Sequence, residues 1–202
     1  ASTVDVVLEK LSYGDEQWVA CGRSEILIAT GRDDWSVVET ADVELADIAF
    51  GAGEWRVVGM EGLILASNDG RNWEQVHRLE GVELSSIKHA DGRWVAGGKS
   101  LVAGDVFGEG FLIVSEDGDN WSEPIMPGTS GISVVAFGGG RWLAAASKWK
   151  SLPTDLDSPV VFLTSENGRD WAVEPDSDHH FGSLRDLRYD DGVWVSVGYT
   201  TP

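Results

Sequence analysis

The sequence predicts an all-β fold, a five-bladed β-propeller of four-stranded antiparallel blades. Three observations predict it. An apolar strand, a tight turn and a tryptophan recur together five times. Interleaved with them, a second apolar strand, a polar turn and a tryptophan recur four times. No stretch between the copies has the spacing of apolar residues that a helix needs.

The first pattern is LEKLSYGDEQWVACG (Leu8–Gly22), LADIAFGAGEWRVVG (Leu45–Gly59), LSSIKHADGRWVAGG (Leu84–Gly98), ISVVAFGGGRWLAAA (Ile132–Ala146) and LRDLRYDDGVWVSVG (Leu184–Gly198). The five align without a gap, and Trp18, Trp55, Trp94, Trp142 and Trp194 all stand at the eleventh place. Each copy reads as two strands, a and b, joined by a turn of Gly and acidic residues. The second pattern supplies strands c and d. It is worn in SEILIATGRDDW (Ser24–Trp35) and clear in EGLILASNDGRNW (Glu61–Trp73), GFLIVSEDGDNW (Gly110–Trp121) and VVFLTSENGRDW (Val160–Trp171). In Asn68-Asp69-Gly70-Arg71, Asp69 can accept backbone N–H groups and Gly70 can take positive φ, which marks a hairpin turn. Strands b and c are apolar on both sides, as expected of strands covered on both faces by neighbouring sheets. Nine of the ten tryptophans are repeat positions and are expected in the core between sheets.

Four units are complete: 8–40, 45–80, 84–126 and 132–177. The fifth, 184–202, has only strands a and b. Thr3–Val7 (TVDVV) precedes the first a-strand and is expected to form an outer strand of the fifth blade, closing one domain over 1–202 as a monomer. The competing arrangements are a truncated chain or a partial ring completed by another subunit.

With 202 residues, 42% hydrophobic and 9% aromatic, the chain can bury a large core. Its net charge of −19 disfavours nucleic acid and anionic membranes as partners. No apolar run approaches the length of a membrane span. Cys21 is the only cysteine, so no intrachain disulfide can form, and within WVACG it reads as a buried small hydrophobe. An extracellular or periplasmic location is slightly favoured over a cytoplasmic one.

The c–d turns resemble the Asp-box (BNR) repeats of the sialidase-like propeller superfamily, whose motif runs Ser-x-Asp-x-Gly-x-Thr-Trp. Ser67, Asp69 and Trp73 match it, as do Ser115, Asp117 and Trp121, with Gly directly after Asp and a loop one residue shorter. Ser165, Gly168 and Trp171 match in the fourth unit, where Asn167 replaces Asp. Only Thr30 and Trp35 remain in the first. The resemblance covers nearly the whole chain and implies the propeller fold. It implies no single activity, since such boxes occur in lectins, glycosidases and scaffolds. A sialidase's arginine cluster and nucleophilic tyrosine do not carry over. Arg71, Arg93, Arg141 and Arg169 fall in hairpins on the rim away from the expected ligand face. Tyr13 and Tyr189 occupy the place of Phe50 and Phe137.

The repeat register exposes three enlarged connections on one predicted face: Ser100–Glu109, Lys148–Pro159 and Pro175–Ser183. Loops lengthened on one side of a rigid scaffold are where binding residues are placed. The candidate ligand site is Trp149 between Lys148 and Lys150, with Asp105, Glu109, Asp155, Asp157, His179 and His180. Trp149 would stack a sugar ring while the carboxylates accept hydroxyl hydrogen bonds. This is a lectin-like, non-catalytic binding module for a small carbohydrate or a protein partner. A protein-interaction scaffold is the alternative, with a carboxylate-pair glycoside hydrolase behind it. A metal held by Asp178, His179 or His180 with Asp155 or Asp157 ranks last, because adjacent histidines in an extended loop point apart. No cofactor and no metal are expected.

Overall fold

The computed structural model describes residues 7–29, 31, 34–101, 108–147, 160–174 and 183–199. They form five antiparallel sheets in chain order. The first contains β1 (Leu8–Gly14), β2 (Gln17–Gly22), β3 (Glu25–Ala29) and β4 (Trp35–Thr40). The second contains β5 (Leu45–Gly51), β6 (Glu54–Gly59), β7 (Leu63–Ser67) and β8 (Glu74–Arg78), with one 3-10 turn, Met60–Gly62, between β6 and β7. The third contains β9 (Val82–Ala90), β10 (Arg93–Ser100) and β11 (Gly110–Ser115). The fourth contains β12 (Ile132–Gly138), β13 (Arg141–Ser147), β14 (Val160–Ser165) and β15 (Ala172–Val173). The fifth pairs β16 (Ser183–Asp190) with β17 (Val193–Tyr199).

The expected fourth strand of the third sheet is reduced to one bridge between Leu112 and Ile125. Pro124 and Pro127 flank Ile125 and have no N–H to give a ladder. The expected closing strand at Thr3–Val7 lies outside the described residues apart from Val7, which is not in a strand.

All five innermost strands share a bulge at the second place of the repeat. Leu45 pairs with Gly59 and Asp47 with Val58, so Ala46 is skipped. Glu9, Ser85, Ser133 and Arg185 are skipped in the same way. A bulge shifts the side-chain alternation by one and bends the strand. It lets third-place side chains reach the next sheet. Asp47 accepts hydrogen bonds from its neighbour Ile48 N–H and, across the gap, from Ser86 Oγ and Ile87 N–H, all at 2.9 Å. Ser86 Oγ in turn accepts from Val135 N–H at 3.1 Å. The second, third and fourth sheets are thus cross-linked level by level. Lys10 makes a separate link between β1 and β16, donating to Arg185 O at 2.6 Å with Asp186 3.9 Å away.

The cores lie between consecutive sheets. Val19 and Ile28 pack on Trp55 and Leu65. Val58 and Ile64 pack on Trp94 and Ile113. Val95 and Leu112 pack on Trp142 and Leu163. Val134 and Leu143 pack on Leu187 and the half-buried Trp194. Trp55, Trp94 and Trp142 are fully buried, as their repeat place predicts.

Trp18 departs from this expectation. Its neighbours Val19 and Cys21 face the second sheet, so Trp18 points away from it, towards the fifth, and it is 43% exposed. Leu8, Leu11 and Tyr13 of β1 are exposed too, as are Val193, Val195 and Val197 of β17. The cause is local. Among the described residues the fifth sheet has no strand beyond β17, and none covers the outer half of this seam.

Candidate functional site

The two rims have different chemistry. On one, a–b turns meet the c–d turns of the following sheet. Arg93 Nη1 donates to Asn167 O at 2.6 Å, and Arg56 Nε donates to Gly118 O at 3.3 Å. The c–d turns are built by their own side chains. Asp69 Oδ1 accepts from Arg71 N and Asn72 N at 2.8 Å, and Asp69 Oδ2 from Asn72 Nδ2 at 2.7 Å. Asp117 repeats all three bonds with Asp119 and Asn120. These donors hold both carboxyls well below the usual carboxylate range. Asn167 accepts the same two backbone donors at 2.9 Å, and its amide donates to Asp170. The two residues have exchanged roles, which explains why Asn is tolerated there. Each turn tryptophan donates its indole N–H to the box glycine: Trp73 to Gly70 O, Trp121 to Gly118 O and Trp171 to Gly168 O. The three glycines have φ of +70°, +84° and +69°. These serines and acids are turn-formers.

The opposite face gathers b–c and d–a connections. Met60 N–H donates to Glu44 O, and Leu101 N–H to Gly81 O, each tying a b–c connection to a d–a connection. Glu109 lies here, at the root of the first enlarged loop. Ser100 N–H donates to Glu109 O at 2.9 Å, Glu109 N–H to Ser100 Oγ at 3.0 Å, and Glu109 bridges Ser130. Its half-buried side chain is thereby set at the base of the loop. The other sequence-predicted site residues, Asp105, Lys148, Trp149, Lys150, Asp155, Asp157, His179 and His180, lie outside the described residues. So does the weak metal candidate. Among the described residues no group of three or more His, Cys, Asp or Glu is disposed to hold a metal.

Between the faces runs a channel of about 1570 Å³, lined by all five innermost strands. The residues that sequence reasoning passed over are in it: Lys10, Asp47, Lys88, Asp186 and Arg188. Burial pushes the Asp47 carboxyl up, against Lys10 and its three hydrogen-bond donors. Burial, then the Arg188 charge, pushes the Lys88 ammonium down. Their signal was present as charged residues at the third and fifth places of the repeat, Lys10, Asp47 and Asp186 at one and Lys88 and Arg188 at the other. The two tyrosines with described side chains are structural. Tyr13 packs on Trp18 at 4.9 Å and Tyr189 on Trp194 at 5.0 Å, as Phe50 packs on Trp55 at 4.7 Å. Cys21 is buried, and burial first, then the Asp47 charge, keeps its thiol protonated.

This arrangement is similar to solved β-propellers. The chain aligns with the WD40 β-propeller domain of Doa1 at a TM-score of 0.63 and 14% identity, over 98% of this chain and 63% of that one. The chain has a β-propeller fold. It also aligns with YCF48 from Cyanidioschyzon merolae (TM-score 0.55, 15% identity, 96% of this chain and 80% of that one). A thermostable family-43 glycoside hydrolase aligns with a TM-score of 0.53 at 10% identity, over 100% of this chain and 98% of that one. The chain spans about half the length of the N-terminal domain of Nup159, which it also resembles (TM-score 0.51, 8% identity). No family profile matches it, and no curated protein matches it in sequence.

Proposed function

We propose that residues 1–202 form one five-bladed propeller that acts as a non-catalytic binding module, with its ligand site on the face of enlarged connections. The c–d turns are its Asp-box repeats, used to build hairpins. Thr3–Val7 supplies an outer strand of the fifth blade. One observation carries the reading: the backbone bonds from Met60 to Glu44 and from Leu101 to Gly81 gather b–c and d–a connections on one face, the class to which all three enlarged loops belong. Trp149 is the stacking platform, Lys148 and Lys150 flank it, and Glu109 with Asp105, Asp155, Asp157, His179 and His180 supplies polar contacts. A small carbohydrate is the ligand this set fits best.

A glycan array on the purified chain tests it. A positive glycan should lose at least about tenfold in affinity on Trp149→Ala, the scale of one stacked aromatic. Unchanged binding by that variant overturns the site.

The exposed apolar strip of Leu11, Trp18, Val195 and Val197 supports a second reading, a protein-interaction scaffold. The two readings divide on closure. Light scattering should find a monomer, and deletion of residues 1–7 should lower Tm as the fifth blade loses its outer strand. A stable oligomer of the full chain, or a deletion without effect, would replace intramolecular closure by a partner on this seam.

A further inference from the structure

The fifth place of the five innermost strands holds Ser12, Ala49, Lys88, Ala136 and Arg188. The third-place bonds joining Asp47, Ser86 and Val135, and Lys10 to the fifth sheet, keep the strands level. The fifth places therefore form one layer of the channel, about 6.6 Å further along. It combines three small residues with two cations and contains no acid. The channel acids belong to other levels: Asp47 and Asp186 to the third place, Glu9 to the second, and Glu44 and Glu83 to the far end. Of these, Glu83 is paired with Lys99 at 3.2 Å.

The two cations are under-used. Lys88 makes no hydrogen bond or ion pair with any described residue, though Asp47 and Asp186 partly offset its burial and the Arg188 charge. Arg188 gives only its Nε to Asp186, at 3.2 Å, which leaves the two Nη groups of its fork without a described partner. Lys88 is half-buried, and its burial disfavours the charge, whereas the Arg188 side chain is 67% exposed; a bound anion would offset the first and engage the open fork of the second.

We propose that this layer is a binding site for a phosphate group, held between Lys88 and Arg188. The guanidinium fork takes two oxygens of a tetrahedral oxyanion, and the ammonium takes a third. Lys88 and Arg188 offer a phosphate dianion two positive charges, part of which Asp186 offsets through Arg188 Nε. The chain's net charge of −19 does not forbid this, because at physiological salt charges are screened over about 8 Å. The site is nearer the box-bearing rim than the enlarged-loop face, so it stands or falls independently of Trp149.

Isothermal titration calorimetry with inorganic phosphate, at constant ionic strength and pH 7.5, tests the proposal. Saturable binding of one phosphate per chain is expected, weakened at least about tenfold by Lys88→Met and by Arg188→Met. Lys99→Met, at the other end of the channel, should bind like the parent. The Lys88 side-chain resonances should move on titration and report a raised pKa, a change that mere structural damage would not produce. Heats equal to dilution, parental affinity in Lys88→Met, or equal weakening by Lys99→Met would overturn the site. Malonate binding as tightly as phosphate would overturn the phosphate assignment.

Discussion

Trp94→Ala is expected to destabilise the fold by about 3–5 kcal/mol, the range for emptying a large aromatic from a packed core. At about 25 cal/mol per Å² over roughly 200 Å², burial of the indole contributes up to about 5 kcal/mol. Trp94 has no exposed surface. It packs among Val58, Ile64 and Ile113, with His89 at 4.8 Å between ring centroids. The cavity would open between two sheets whose strands are tied by their own ladders, so collapse can recover little of it. In a chain of this size the change should lower Tm by about 6–20 °C. Trp18→Ala at the same repeat place is the control. Its indole is 43% exposed, and its loss should cost about 2 kcal/mol or less. Thermal denaturation of both variants decides the matter. A near-neutral Trp94→Ala, or equal costs at the two places, would mean that the tryptophan rhythm does not mark inter-sheet cores.

That contrast shows what the repeat pattern can and cannot reveal. Strand order, turn positions and the burial of three of the five eleventh-place tryptophans were legible, because period, glycine and Asp–Gly pairs act locally. The exposure of Trp18 was not legible, since it depends on how far the fifth sheet extends. The lost outer strand of the third sheet could have been read from Pro124 and Pro127. The links made by Asp47, Ser86 and Lys10 could not. Without the bulge at the second place, simple alternation puts those side chains on the wrong side. For the candidate site, the length of the connections pointed to a face, and Glu109 lies at its root. Long loops carry no periodicity from which to derive the arrangement of Trp149 and its neighbours.

The same column reading isolates the second large effect. Val19, Arg56, Val95, Leu143 and Val195 share one repeat place, so four aliphatic residues accompany one arginine. At this place the strand receives the box glycine of the following sheet. A Cβ added to Gly70 would meet Val19 at 3.1 Å, one on Gly168 would meet Val95 at 3.1 Å, and one on Gly118 would meet the Arg56 guanidinium at 2.5 Å. Arg56 is 1% exposed. Its Nη2 lies 2.8 Å from Glu54 and 3.1 Å from Asp119, while Nη1 donates to Trp55 O. The guanidinium carbon sits 5.5 Å from the centre of the Trp94 ring. Arg56→Ala removes the stem, the cation over the indole and the donor to Gly118 O, and should cost about 3 kcal/mol. Arg56→Met keeps the stem and leaves no buried charge behind, because Glu54 and Asp119 both reach solvent. It should cost less than half as much, as expected when a buried ion pair yields to an apolar side chain of similar volume. Chemical denaturation of the two variants separates packing from charge. Equal costs would mean that the ion pairs, not the stem filling the seam under Gly118, hold the second and third sheets together.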